Sequence, residues 1–155
     1  MFKILGKELL APNIYQMEIE APRVAHAAKP GQFIILRLDE EGERVPLTIA
    51  DYDTDRGSVT IVIQTVGYST SKLCEMNPSD SIADFAGPLG QPSEFVHEPI
   101  EQLREKRILF VAGGVGTAPV YPQVKWLNEH GVKADVIIGA KNRDTLIFVE
   151  LYIQE

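Results

Sequence analysis

The sequence predicts a six-stranded antiparallel β-barrel over residues 1–100, followed by an incomplete α/β Rossmann-like unit over residues 101–155. About six short β-rich segments, with turns roughly every 8–12 residues, fill the first hundred residues and are typical of a small barrel. Near Pro99 the pattern changes to strand, glycine turn, helix and strand, which is a βαβ unit. The residues after the second strand of this unit are too few for a doubly wound sheet.

The barrel strands are predicted from apolar or alternating runs that lie between turn residues. Tyr15, Met17 and Ile19, for example, alternate with polar residues. A short helix is predicted over Ser71–Met76. The predicted strands are Lys3–Leu10, Ile14–Ala21, Phe33–Leu38, Arg44–Tyr52, Ser58–Thr65 and Ser81–Phe85.

The α/β unit is predicted from the stretch Arg107–Tyr121 and the residues after it. Ile108–Val111 is a continuous apolar run, typical of a parallel strand that is covered on both faces. A helix is expected to begin near Thr117 and to continue over Val120–His130, with Gly131 as its C-cap. Ala134–Ile138 is predicted as the second buried strand, whereas Glu101–Lys106 is a linker or a short helix.

The turn between strand and helix contains three glycines, Gly113, Gly114 and Gly116. Helix N-termini carry free N–H groups and a partial positive charge, so such a turn suits a pyrophosphate. The third glycine of the dinucleotide fingerprint is replaced by Pro119, which fits a first helical turn. A plain connection whose glycines only solve a packing problem is the alternative.

Composition excludes several classes of protein. Hydrophobic content of 45% and charged content of 24% are typical of a globular protein, and the net charge of −7 argues against a nucleic-acid partner. No run suggests a signal peptide or a membrane span, so the cytoplasm is the expected compartment. The single cysteine, Cys74, excludes an internal disulfide, and the scattered histidines show no metal-like spacing.

The segment Arg44–Thr48 combines a cation, a rigid proline and a hydroxyl. Arg44 could pair with a phosphate, and Thr48 could hydrogen-bond a flat heterocycle. An edge strand with an ordinary surface arginine is the alternative. The turn Gly67–Thr70 precedes a predicted helix and forms a second possible phosphate cradle, unless Ser69 or Thr70 simply caps the helix. Gly87–Gly90 by itself indicates only a tight turn.

Taken together and in this order, these segments resemble the ferredoxin reductase superfamily, in which a flavin-binding barrel precedes a nicotinamide-dinucleotide domain. The resemblance rests on RVPLTIADYD, GYST, GPLG and AGGVGTAP. It is strongest to small electron-transfer subunits, those of type B dihydroorotate dehydrogenase and of the sulfide dehydrogenase-like NADH-dependent ferredoxin:NADP oxidoreductase.

The resemblance implies roles for particular residues. Thr48 is the candidate for a hydrogen bond near flavin N5 and so the candidate catalytic residue. The residues implied for FAD are Val45, Pro46, Leu47 and Thr48 along the ring and ribityl chain, Val62, Ile63 and Gln64 beside the adenosine or ribityl part, and Gly67, Ser69 and Thr70 at the pyrophosphate. Those implied for NAD(P)H are Gly113, Gly114, Gly116 and Thr117.

The resemblance also implies an activity, in which NAD(P)H passes a hydride to flavin N5 and the flavin passes single electrons to an iron–sulfur centre. A larger catalytic or electron-accepting subunit is the implied partner, and an unpaired sheet edge suggests association or a homodimer. Two departures stand out. The family's phosphate-pairing arginine corresponds to Val45, one place after Arg44, so Arg44 is expected to point to the other face. The cysteines of the family's [2Fe–2S] centre are missing. The alternative is a truncated, non-catalytic flavin-binding or interaction module.

Overall fold

The barrel is a single antiparallel sheet in the computed structural model, which describes residues 1–154. Its seven strands are β1 (Phe2–Ala11), β2 (Ile14–Glu20), β3 (Phe33–Arg37), β4 (Val45–Asp53), β5 (Ser58–Gln64), β6 (Ser81–Ile82) and β7 (Asp84–Leu89). Their order across the sheet is β6-β1-β2-β5-β4-β3-β7. Because only Ala83 separates β6 from β7 in the chain, the two outer strands are joined and the barrel is nearly closed.

The six predicted strands are present, and the last of them is divided in two. The backbone N–H of Ala83 donates to the carbonyl of Leu38 at 3.2 Å. This interruption lets β6 pair with β1 while β7 pairs with β3. One strand-like segment therefore closes both sides of the barrel.

The barrel interior follows the period-2 pattern of the strands. On β2, Met17 and Ile19 are fully buried, whereas Glu20 is exposed. Burying each such aliphatic side chain contributes roughly 2 kcal/mol, so these residues determine which face of every strand turns inward. The largest fully buried side chains of the barrel core are Ile4, Met17, Ile19, Ile34, Leu36, Ile49, Ile61, Ile63, Leu73 and Ile82.

Two helices pack against this core. The sequence interpretation assigned no element to α1 (Pro22–Ala27), which buries Val24 and Ala25. Its signal was Pro22, which is favoured in a first helical turn. The predicted helix Ser71–Met76 is observed as α2 (Tyr68–Glu75), three residues earlier at its start, and Cys74 lies buried on it.

The α/β region, residues 100–154, contains two parallel strands, three α-helices and two short 3₁₀-helices, Gly114–Gly116 and Arg143–Thr145. Gly131 follows the helix Thr117–Glu129 and has φ +70°. Its N–H donates to the Asn128 carbonyl at 2.9 Å, which confirms the predicted glycine C-cap. The predicted linker or helix over Glu101–Lys106 is helical. The elements are α3 (Ile100–Glu105), β8 (Ile108–Gly113), α4 (Thr117–Glu129), β9 (Ala134–Gly139) and α5 (Val149–Gln154).

The prediction that β8 and β9 are covered on both faces is wrong for the described residues. Leu109, Val111 and Ile137 are 56%, 71% and 56% exposed. The opposite face packs against Leu103 of α3 and Leu127 of α4. Alternation along each strand therefore leaves every second apolar side chain on a sheet face that residues 1–154 do not cover.

The apolar residues that precede α5 bury themselves against the barrel. Ile147 and Phe148 are 3% and 8% exposed and join a cluster that contains Ala11 and Ile14 of the barrel. The ring of Phe148 meets Tyr121 of α4 edge-on at 5.6 Å. This segment therefore packs between the two parts of the chain and adds no strand to the sheet.

Gly87–Gly90 is more than the tight turn that the sequence suggested. Gly87 lies within β7, and an added Cβ there would meet Ile34 Cγ2 at 2.6 Å. Gly90 follows the strand with φ +78°, and its Cβ would meet the Phe33 ring at 2.9 Å. These glycines let β7 approach β3 closely at the point where the barrel closes.

We therefore expect Gly87→Ala to destabilise the protein by about 1–3 kcal/mol, because the added methyl group overlaps Ile34 in a packed core. Urea denaturation followed by circular dichroism measures the change. Gly139→Ala is the matched control, since a Cβ at Gly139 meets nothing within 4 Å. Equal stabilities for the two variants would contradict this account of barrel closure.

Candidate functional site

The outer face of β4 is the first part of the candidate site. Pro46 and Thr48 are exposed there, whereas Val45 and Leu47, which alternate with them, are half-buried and pack against the barrel core. A ligand lying on this face would touch the side chains of Pro46 and Thr48, and only the backbone of the other two. The assignment of these four residues to a flavin remains a prediction.

The N-terminus of α2 is the second part. The Thr70 hydroxyl accepts hydrogen bonds from the backbone N–H groups of Val66 (3.1 Å) and Gly67 (3.0 Å), and donates to the Gly67 carbonyl. Thr70 therefore caps the helix, which was the alternative to a direct role in phosphate binding. The two roles are compatible, because a capped helix end still presents its remaining N–H groups.

The structure brings the start of β4 close to the start of α2. The Ser69 hydroxyl donates a hydrogen bond to the Glu43 carboxylate, and both residues line a pocket of about 290 Å³. An added Cβ at Gly67 would meet nothing within 4 Å, so the space above the helix end is open. Asp39 and Glu41 line the same pocket, and carboxylates repel a pyrophosphate, so the assignment of this turn to a pyrophosphate stays a prediction. Sequence reasoning missed Glu43, which belongs to no motif.

Arg44 lines a different pocket from Ser69. It is exposed and lines a groove of about 370 Å³ beside Arg37 and Asp84, which form an ion pair with each other. Arg44 precedes β4 by one residue and has the same exposed character as Pro46 and Thr48. Its predicted pairing with a phosphate remains a prediction.

The residues Val62, Ile63 and Gln64 of β5 have different surroundings. Ile63 is fully buried in the barrel core, and Val62, 7% exposed, packs in the cluster between the barrel and the α/β region. Gln64 is exposed. The first two side chains are therefore occupied by packing, and only Gln64 offers its side chain to a ligand on this strand.

The glycine turn between β8 and α4 is the third part of the site. Gly114 has φ +56°, which favours glycine, but Gly116 has the ordinary helical φ of −61°. An added Cβ would meet nothing within 4 Å at Gly114 or Gly116, and only the Gly139 carbonyl at 3.8 Å at Gly113. Packing therefore does not explain Gly113 and Gly116, whereas a ligand that approaches the backbone closely would. The open cradle fits a dinucleotide phosphate.

Thr117 begins α4 directly beside this cradle. It is 1% exposed, and its Oγ1 has no hydrogen-bond partner among residues 1–154. Its carbonyl accepts a hydrogen bond of 2.7 Å from the Tyr152 hydroxyl, whose pKa is raised by burial. A buried hydroxyl without a partner is costly, and the assignment of Thr117 to a nicotinamide dinucleotide stays a prediction. Tyr152 carried no sequence signal.

An apolar cluster brings the glycine turn to the barrel. Ala50 and Val62 of the barrel pack with Ala118 and Tyr121 of α4, and Val115 of the turn lies against the same cluster. Ala50 is two residues after Thr48, and Val115 is two residues before Thr117. The predicted flavin segment that ends at Thr48 and the glycine turn that precedes Thr117 therefore lie on either side of one interface.

No group of three or more His, Cys, Asp or Glu side chains among residues 1–154 is arranged to hold a metal ion. None of the described helices is long and apolar enough to cross a membrane.

Comparison with solved structures gives the class of protein. No protein-family model matches the chain. The structure of an NADH-dependent reduced ferredoxin-NADP oxidoreductase is 37% identical with a TM-score of 0.87, covering 98% of this chain and 52% of that one. Phthalate dioxygenase reductase shares the fold at 17% identity and a TM-score of 0.75, covering 97% and 46% of the two chains. The fold is therefore of the ferredoxin reductase type.

Curated relatives make the relationship more specific. A protein encoded in the adh 3′ region of Clostridium beijerinckii is 63% identical over 97% of this chain and 51% of the relative. The dihydroorotate dehydrogenase B electron transfer subunit homolog of Thermotoga maritima is 40% identical over 96% of this chain and 50% of the relative. The chain is thus a homologue of the dihydroorotate dehydrogenase B electron transfer subunits, which confirms the resemblance. It spans about half the length of the curated relatives that it matches.

The orphaned hydroxyl gives a test that needs no ligand. We expect Thr117→Val to keep or raise the stability of the cofactor-free protein by up to about 1 kcal/mol, because it removes a buried group without a partner. Thr70→Val is the matched variant and should lose about 1 kcal/mol, since that hydroxyl caps α2. Thermal unfolding of both variants and of the unchanged protein measures these changes in stability. A larger loss for Thr117→Val would show that its hydroxyl is paired in the folded protein.

Proposed function

We propose that the chain is a flavin-dependent electron-transfer subunit that binds FAD on the barrel and NAD(P)H at the glycine turn. The observation that supports this most strongly is the shared cluster in which Val115 of the turn packs with Ala50, two residues after Thr48. A ligand on the outer face of β4 and a ligand in the glycine cradle would meet there. The relatives named as NAD-linked electron transfer subunits support the same proposal.

The residues available to hold each group follow from the site. For FAD, the outer face of β4 offers Pro46 and the Thr48 hydroxyl, and α2 offers Ser69 and its free N–H groups. For the nicotinamide dinucleotide, the glycine turn offers its open backbone, and Thr117 offers a hydroxyl without a partner among the described residues. Bound FAD accepts a hydride as an electron pair and can release single electrons, so the chain needs no general acid or base.

The chain's own contribution is to orient the cofactors. Thr48 would donate one hydrogen bond to the flavin ring, and the cluster around Ala50 and Tyr121 would exclude water from the interface. Because the net charge is −7, the phosphates must be held by local N–H groups and hydroxyls against an unfavourable overall field.

Anaerobic titration of the FAD-loaded chain tests the function. We expect yellow protein that is bleached by NADH or by NADPH, monitored by the flavin absorbance. Yellow protein that neither nucleotide bleaches would support a non-catalytic flavin-binding module. Protein that cannot be reconstituted with FAD would reject both functions.

The role of Thr48 is tested in the same assay. We expect Thr48→Val to slow bleaching by about tenfold, because a single hydrogen bond to the reacting ring contributes about 1.4 kcal/mol. Thr48→Ser keeps the hydroxyl and should bleach at nearly the rate of the unchanged protein. FAD affinity, measured by flavin fluorescence, should change little in either variant. Equal rates for the valine and serine variants would remove Thr48 from the mechanism.

The exposed sheet face suggests a partner or a second copy. Leu109, Val111 and Ile137 are all more than half exposed. Side chains alternate between the two faces along each strand, and Val111 pairs with Ile137, so the three side chains lie on one face of β8 and β9. Exposed apolar patches of this kind commonly mark interaction sites. A larger electron-accepting subunit is the proposed partner, and self-association is expected when the chain is isolated.

Light scattering across a concentration series measures this association. We expect the mass to rise with concentration, and Val111→Lys to reduce the rise because it places a charge on the face. Glu105→Gln is the matched control, since it changes the net charge equally at an exposed position of α3, outside this face. A clean monomer at high concentration, or an equal effect of both variants, would contradict the proposal.

A further inference from the structure

An ion pair links the strand of the proposed flavin site to the helix of the proposed nucleotide site. Lys125 Nζ of α4 donates to Asp51 Oδ1 of β4 at 2.9 Å. Asp51 lies three residues after Thr48, and Lys125 lies eight residues after Thr117, or about two helical turns. Each partner is therefore rigidly connected to one of the two candidate cofactor positions.

A β-bulge places Asp51 towards α4. The pairing of β4 with β5 shifts between Ile49 and Asp51, so Ala50 is an extra residue. Ile49 and Tyr52 pack against the barrel core, whereas Ala50 enters the cluster with α4 and Asp51 meets Lys125. Regular alternation would put Asp51 on the same face as Ile49. The bulge thus turns two consecutive residues outward, which is a known way to re-aim a side chain.

The surroundings hold the Asp51 carboxylate in one orientation. Its Oδ1 also accepts the backbone N–H of Tyr52 at 2.9 Å. The Asp51 and Lys125 side chains are 31% and 29% exposed. Beside them, a crevice of about 190 Å³ is lined by Tyr52, Trp126 and Glu129. The pKa of Tyr52 is raised to about 12, by burial and then by the Glu129 and Asp51 carboxylates, so its phenol stays neutral.

Apart from a hydrogen bond of 2.9 Å from the Ser93 hydroxyl to Gln123 Oε1 of α4, the rest of the interface is largely apolar. Ala50, Val62 and Ala118 contribute small or branched apolar surfaces, and hydrophobic contact is non-directional. Such surfaces hold two elements together but allow small sliding movements. A charged hydrogen bond has a preferred length and angle, so it fixes register where apolar contact does not.

We infer that the Asp51–Lys125 ion pair is a positioning contact that sets the alignment of the glycine turn with the outer face of β4. The inference rests on the proposed function, because alignment matters only if the two cofactors react with each other. Hydride donor and acceptor must approach to about 3–3.5 Å, and a displacement of about 1 Å can slow a reaction about a hundredfold. The pair therefore acts on the rate of transfer and not on the affinity for either cofactor.

The test compares Lys125→Ala with Lys125→Arg and with the exposed control Lys133→Ala. We expect Lys125→Ala to slow flavin bleaching at saturating nucleotide by about 10- to 100-fold. Its FAD dissociation constant and half-saturating nucleotide concentration should stay within about twofold. Lys125→Arg, which can donate to Asp51, should recover most of the rate, and Lys133→Ala should match the unchanged protein.

A second measurement uses the cofactor-free chain. Hydrogen exchange of the backbone amides of residues 113–118 should be faster in Lys125→Ala than in the unchanged protein, and should return to normal in Lys125→Arg. The melting temperature should fall by less than about 4 °C, because partly exposed ion pairs add little stability. Asp51→Asn provides an independent variant that removes the charge from the other side.

The outcomes separate the two proposals. If the unchanged protein is bleached and Lys125→Ala is bleached within twofold of its rate, or exchange at residues 113–118 is unaltered, the positioning role is overturned while the proposed function stands. Loss of FAD affinity in Lys125→Ala and Lys125→Arg alike would also overturn it, as a general structural effect. If the unchanged protein takes up no FAD or is not bleached, the proposed function fails and the positioning role fails with it.

Discussion

The packing of α4 against β4 is the contact on which the rest of the structure depends. Ala50 and Ala118 are 0% and 1% exposed, and their small side chains allow the helix to lie close to the barrel strand. Tyr121 then bridges to Phe148 and Tyr152, with ring centroids 5.6 and 5.5 Å away. These contacts give the α/β region a defined place beside the barrel, since its own two-stranded sheet buries only one face.

Charge is a second constraint on the candidate site. The chain is acidic, so a phosphate cannot rely on its overall field and must be met by helix N-termini and hydroxyls. Both candidate cradles, at α2 and at α4, have open space above their glycines. The two cradles differ in the hydrogen bonding of their hydroxyl groups. The Glu43 carboxylate is hydrogen-bonded to Ser69 at α2, whereas Thr117 Oγ1 at α4 has no partner among residues 1–154.

Sequence patterns predicted elements well where local and tertiary preferences agree. The alternation of Met17 and Ile19 with polar residues gave the inward face of β2, and Gly131 marked the end of α4. The patterns failed where contacts with distant parts of the chain determine whether a residue is buried. A continuous apolar run such as Ile108–Val111 reads as buried on both faces, but burial of the second face depends on what covers it.

The sequence by itself determined the barrel, the strand–turn–helix unit and the order of the candidate cofactor segments, because periodicity and turn residues are local properties. Only the tertiary structure showed that Ile34 packs directly against Gly87, that the Thr70 hydroxyl caps α2, and that the Val62 side chain packs between the barrel and the α/β region. The tertiary structure alone also brought Asp51 to Lys125, 74 residues apart. Contacts between distant residues depend on how β4 and α4 approach each other, and no local pattern encodes that distance.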